Sequence, residues 1–110
     1  MTILSYDSTF EGFLTTVFEI FEYKYQEPQI IKKGDSQHNL FTNPIEVVTD
    51  VAKSDRVIKK LKDQLQNDGV RTLIYAFLSE KVRVEDLLFK VIRYAIANKS
   101  QNIMKDYSND

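Results

Sequence analysis

The chain has no cysteine and no tryptophan, one histidine, three glycines and two prolines in 110 residues. Without cysteine there can be no disulfide, thiolate metal site, iron–sulfur ligation or cysteine nucleophile, and the absence suits a cytoplasmic protein. So little glycine and proline argues against a linker, a disordered chain or a sandwich with many tight turns. No apolar run approaches the ~18 residues that span a bilayer; stretches such as LIYAFL at 73–78 are short and bounded by polar residues. The opening MTILSYDSTFEG has no basic region and carries Asp7 and Glu11, so it does not read as a signal peptide. His38 stands alone in a polar loop, GDSQHNLFTN at 34–43, and one histidine without cysteine cannot supply the common zinc patterns. EF-hand spacing, phosphate-loop glycine patterns and a serine-nucleophile elbow are all missing. No catalytic residue, metal ligand or cofactor is therefore assigned.

What is present reads as globular: 43% hydrophobic and 28% charged residues, with a net charge of -1. The length fits one modest core. We expect a single α+β domain over 1–99 and a polar, frayed tail over 100–110. The near-neutral total hides an asymmetry. Residues 1–50 hold three Lys/Arg against eight Asp/Glu, whereas residues 51–110 hold twelve against eight.

Periodicity predicts two or three short strands and about four helices, with a helical second half. TILSY at 2–6 reads as a strand, and Asp7-Ser8 as a turn. Ser8 with Glu11 fits a capping box, Thr9 being the alternative cap. Gly12, early in a helix, implies a close neighbour or simple tolerance. That helix runs to about Tyr23. Its apolar stripe is Phe10, Phe13, Leu14, Val17, Phe18, Ile20 and Phe21, and Glu11, Thr15, Glu19 and Glu22 form the opposite face. Gln29–Lys32 fits a short extended piece, Leu40-Phe41 a core anchor, and IEVVT at 45–49 a second strand. Asp50 is a good N-cap for a helix to about Asn67 with Val57, Ile58, Leu61 and Leu65 inward. Asp68-Gly69 punctuates. A helix at 70–79 follows, with Val70, Leu73, Ile74, Phe77 and Leu78 inward. A last helix, from Arg83 or Val84 to about Lys99, carries Leu87, Leu88, Val91, Ile92, Ala95 and Ile96 on one face. The expected core is Phe10, Phe13, Leu14, Val17, Phe18, Leu61, Leu73, Phe77, Leu88 and Ile92.

Two constellations carry chemistry. Asp7, Glu11, Glu19 and Glu22 could be read as an acid/base or metal cluster, though the same spacing describes the solvated side of an amphipathic helix. The run Lys53, Arg56, Lys59, Lys60 and Lys62 makes a stripe that could meet a phosphate backbone, with Arg71 extending it if the helices fold back. Tyr75 and Tyr94 fall off the apolar stripes, where they could stack on bases or mark a core boundary.

The segment YDSTFEGFLTTVFE at 6–19 resembles the opening of an uncharacterised bacterial family of DNA metabolism or DNA repair proteins, whose members read YDGSFEGFLTAVFE. IEVVTD at 45–50, YAFLSE at 75–80 and EDLLFKVIRYA at 85–95 are similar to the same family in the same order. The resemblance thus covers residue 2 to about 98. Where the family has glycine, this chain has Ser8, which could cap where glycine only turns. Members are about twice as long, with a second half rich in Arg, His and aromatics that this chain lacks. The resemblance implies association with a radical-SAM protein and, in some members, fusion to a uracil-DNA-glycosylase-like domain. It assigns no catalytic residue here. Three readings follow: a non-catalytic accessory or protein-interaction domain associated with DNA metabolism; a weak, sequence-independent nucleic-acid module using the basic helix (Lys53, Arg56, Lys59, Lys60, Arg71); and a carboxylate/metal-dependent enzyme.

Overall fold

The computed structural model describes residues 2–34, 43–79 and 84–97. The described elements, in order, are β1 (Thr2–Tyr6), α1 (Phe10–Tyr23), β2 (Pro28–Lys32), β3 (Ile45–Glu46), α2 (Val51–Leu78) and α3 (Val84–Ala97). This is an α+β fold with its helices concentrated in the second half. The 34–43 loop with His38, Leu40 and Phe41, and the tail over 100–110, lie largely or wholly outside the described residues. The chain divides into two compact units, Met1–Val57 and Ile58–Asp110, which are taken in turn.

The first unit is built on a three-stranded sheet of order β2-β1-β3, with both pairings parallel. Thr2 stands opposite Pro28 and Tyr6 opposite Lys32, while Leu4 and Ser5 face Ile45 and Glu46. Pro28 is tolerated because it opens an edge strand, where its missing N–H costs no ladder bond. As the central strand, β1 is covered on both faces: Leu4 and Tyr6 are fully buried and Ser5 nearly so. That double burial explains why TILSY lacks clean alternation. The second strand is shorter than IEVVT suggested. Only Ile45 and Glu46 pair as strand, although Val47 still donates to the Ser5 carbonyl at 2.8 Å.

α1 packs Phe13 against Tyr6, ring centroids 6.1 Å apart, with Phe10 stacked beside Phe13 at 6.4 Å. Phe13, Leu14, Val17 and Ile20 are buried, but Phe10 and Phe18 are only half-buried and Phe21 is exposed. The expected core was too generous there. Phe18 instead lies under two cations, with Lys53 Nζ 5.6 Å and Arg56 Cζ 5.4 Å from its ring centre. The supposed polar face of α1 also needs correction, because Thr15, like its neighbour Thr16, is wholly buried. Thr15 Oγ1 donates to the Glu11 carbonyl at 2.8 Å and accepts from the Asp50 amide at 3.1 Å. Asp50 does cap α2, accepting from the Ala52 and Lys53 amides.

The second unit holds most of α2, and α3. Leu61, Val70, Leu73, Phe77, Val84, Leu88, Phe89, Ile92 and Ala95 are buried in it. α2 is helical through Leu78 except at Gln66, whose φ of 61° and ψ of 179° break it. The expected division into two helices is therefore real, but it falls at Gln66 and not at Asp68-Gly69. On α3, Leu87 and Val91 are exposed and Phe89 is inside, so the buried face is rotated from the one expected.

Candidate functional site

At the carboxyl end of β1 the chain makes a hydrogen-bonded knot. Asp7 Oδ1 accepts from the Thr9 amide at 3.0 Å and from the Thr9 hydroxyl at 2.6 Å. Thr9 Oγ1 in turn accepts from the Gly12 amide at 2.9 Å, so Thr9, and not Ser8, caps α1. Ser8 is displaced from capping because it occupies the left-handed region, with φ at 74°. Asp7 Oδ2 accepts from Thr49 Oγ1 at 2.7 Å. These hydroxyls favour the charged carboxylate and hold the Asp7 pKa below its ordinary value of 3.8. Gly12 is there because a Cβ would strike Asp7 Oδ1 and approach Thr49 Oγ1 to 2.9 Å.

Beside the knot lies a shallow cleft of about 190 Å³, lined by Ser5, Asp7, Lys33, Glu46, Val48 and Thr49 among others. Its position outside the carboxyl ends of a parallel sheet, where the strand order reverses about β1, is where open α/β sheets hold ligands. Its chemistry is largely committed, however. Asp7 is held by two threonines. Lys33 Nζ meets Glu46 Oε2 at 2.9 Å, which raises the Lys33 pKa. The volume also falls below the ~300 Å³ at which small-molecule pockets begin.

The carboxylates singled out in the sequence do not converge. Glu11 and Glu22 are exposed. Glu19 is turned to Lys53, Oε2 to Nζ 3.2 Å, with only 16% of its side chain exposed. Among the described residues no group of three or more His, Asp and Glu side chains could hold a metal ion.

The basic residues are also divided. Lys53 is bonded to Glu19, which raises its pKa, and it shares the Phe18 ring with Arg56. Lys59, Lys60 and Arg71 are exposed in the second unit. Arg71 lies beyond Gln66, so helical spacing does not carry it onto the face of Lys59 or Lys60.

The second unit presents an apolar stripe in which sequence reading had turned Leu87 and Val91 inward, while placing Tyr94 off the buried face. Leu87, Val91 and Tyr94 are 62%, 41% and 55% exposed. Their spacing of four and three residues places them in one row along α3. Near the end of α2, Tyr75 and Leu78 are likewise exposed, at 66% and 62%. Among the described residues no helix is long and apolar enough to cross a membrane. Comparison with family models, with curated proteins and with solved structures gave no match.

Sequence reading named the Asp7-Ser8 turn and Thr9 as the alternative cap, but missed that Asp-x-Thr at 7–9 joins the two in one Asx-type turn. No local pattern named Thr49 as its partner, since the two lie 42 residues apart.

Proposed function

We propose that this chain is a non-catalytic, cytoplasmic protein-interaction domain that makes contact through the outer stripe of α3. The observation that carries it is the row of exposed Leu87, Val91 and Tyr94. Aromatic and aliphatic side chains aligned along one helix face suit the apolar groove or helix of a partner protein. The resemblance to DNA-metabolism proteins supplies the setting, and the radical-SAM protein it implies is the partner we expect. Binding of that protein to the purified chain, followed by calorimetry after nuclease treatment, tests this. The wild type should bind, and Leu87→Glu/Val91→Glu should weaken binding at least tenfold while keeping the wild-type circular dichroism. Equal affinity of the two forms would overturn the contact surface, and no binding by the wild type would overturn the partner.

The basic helix is the second reading, favoured by the exposure of Lys59, Lys60 and Arg71. Against it stands the engagement of Lys53 with Glu19 and of Arg56 with Phe18. Two or three remaining cations would give weak binding that falls steeply with salt, at ~0.9 logarithmic units per phosphate neutralised. DNA affinity at low salt should drop for a Lys59→Ala/Lys60→Ala/Arg71→Ala variant; equal binding, or none by either, removes this reading.

A further inference from the structure

Three observations meet in α2. Gln66 sits at φ 61° and ψ 179°, between two stretches that are otherwise helical. Essentially only glycine settles there, so the side chain makes this a strained joint. Next, a Cβ on Gly69 would stand 2.6 Å from Leu65 Cβ. On an unbroken helix, residues four apart keep their Cβ atoms roughly 5–6 Å apart. The close approach is therefore made by the break, and the absence of a side chain at Gly69 permits it. Finally, Leu61 and Phe77 are both buried, yet on an unbroken helix of 3.6 residues per turn they would point about 160° apart. With both buried, the break changes the phase between the two apolar stripes of α2 from the one an unbroken helix would give.

An unbroken α2 would relieve Gln66 and complete the helix. It would also turn the Val70, Leu73 and Phe77 stripe away from the side that Leu61 and Leu65 occupy. One chain in that form cannot bury both stripes in one core. The surface shaped to receive the displaced stripe is the same surface on a second copy. We propose that α2 is a joint that straightens at Gln66, and that residues 67–78 with the chain after them then exchange between two copies of this protein. Exchange of this kind remakes the closed contacts between protomers, so it trades the entropy of association against the relief of two strained joints.

The chain has no cysteine, so spin labels can be placed cleanly at Lys59→Cys and Tyr75→Cys. In the straight form these positions are about 24 Å apart along the axis at 1.5 Å per residue, and in the broken form they are closer. Light scattering over a hundredfold concentration range reports the oligomer. We expect a dimer fraction that rises with concentration and carries the long distance. Gly69→Ala, which crowds the broken form and favours helix, should shift the dimer midpoint at least tenfold lower. Gln66→Gly, which relieves the broken form, should shift it at least tenfold higher. A monomer at every concentration with one short distance in the wild type and both variants would overturn the proposal. If Gly69→Ala fails to fold, Gln66→Gly decides alone, and an unchanged midpoint refutes it. Leu87→Glu/Val91→Glu should leave this equilibrium unmoved; loss of the dimer in that variant would mean pairing through α3 instead, and would also overturn exchange.

Discussion

Thr49 Oγ1 lies 2.7 Å from Asp7 Oδ2 and donates to it, tying the turn after β1 to the segment after β3. The same carboxylate accepts from the Thr9 hydroxyl that caps α1. One exposed aspartate thus fixes where α1 begins and where the chain leaves the sheet. Such linked bonds polarise one another, so the knot should behave as a unit.

Asp7→Ala should cost about 1–2 kcal/mol at neutral pH, in the range of a lost charge-assisted hydrogen bond at an exposed position. The folded pKa is depressed below the ordinary 3.8, so the contribution is complete above the unfolded value and is lost as pH falls through the folded one. Urea midpoints should therefore decline below about pH 4, and Asp7→Asn should flatten that part of the decline.

Gly12→Ala gains up to ~1 kcal/mol of helix propensity but drives a Cβ into Asp7 Oδ1. The net result should be a loss of about 1–3 kcal/mol. A thermal melt that rises for this variant would show that the knot yields.

Ser8→Gly should stabilise by about 1 kcal/mol, because glycine holds positive φ without the Cβ penalty and the Ser8 φ is 74°. Ser8→Ala, which keeps the Cβ, should not. The pair of chemical denaturation curves separates backbone relief from loss of the hydroxyl.

Ser54→Ala should be neutral or stabilising by up to ~1 kcal/mol. Ser54 Oγ is buried without a hydrogen-bond partner, so removing it recovers a desolvation cost and leaves almost no cavity. A loss above ~1 kcal/mol in the urea midpoint would contradict this.

The elements were legible in the sequence where one face alone decides. The extent of α1 and the Asp50 cap emerged from such patterns, whereas β1 was legible from its β-forming residues despite burial on both faces. Thr15 failed because an amphipathic helix covered on its polar side keeps small hydroxyls there, and these pair with their own backbone. Leu87 and Val91 failed for the opposite reason: α3 carries more apolar positions than its buried face uses, so periodicity alone could not choose the side. Gln66 is silent locally, since nothing in Leu-Gln-Asn signals positive φ; the division was read instead from Asp68-Gly69, two residues on. The Lys53–Glu19 pair was hidden because it joins two helices whose packing the sequence does not state.

β1 precedes both of its neighbours in the chain and lies between them in the sheet. During synthesis it therefore emerges with no partner on either side. α1 can wind at once, but a ribosome adding roughly 5–20 residues each second needs about two to eight seconds to carry the chain from Tyr6 to Glu46. Through that interval Leu4, Tyr6 and the inner face of α1 stay open to other chains. A nascent chain stalled before Pro28 carries the apolar residues of β1 without either of their sheet neighbours.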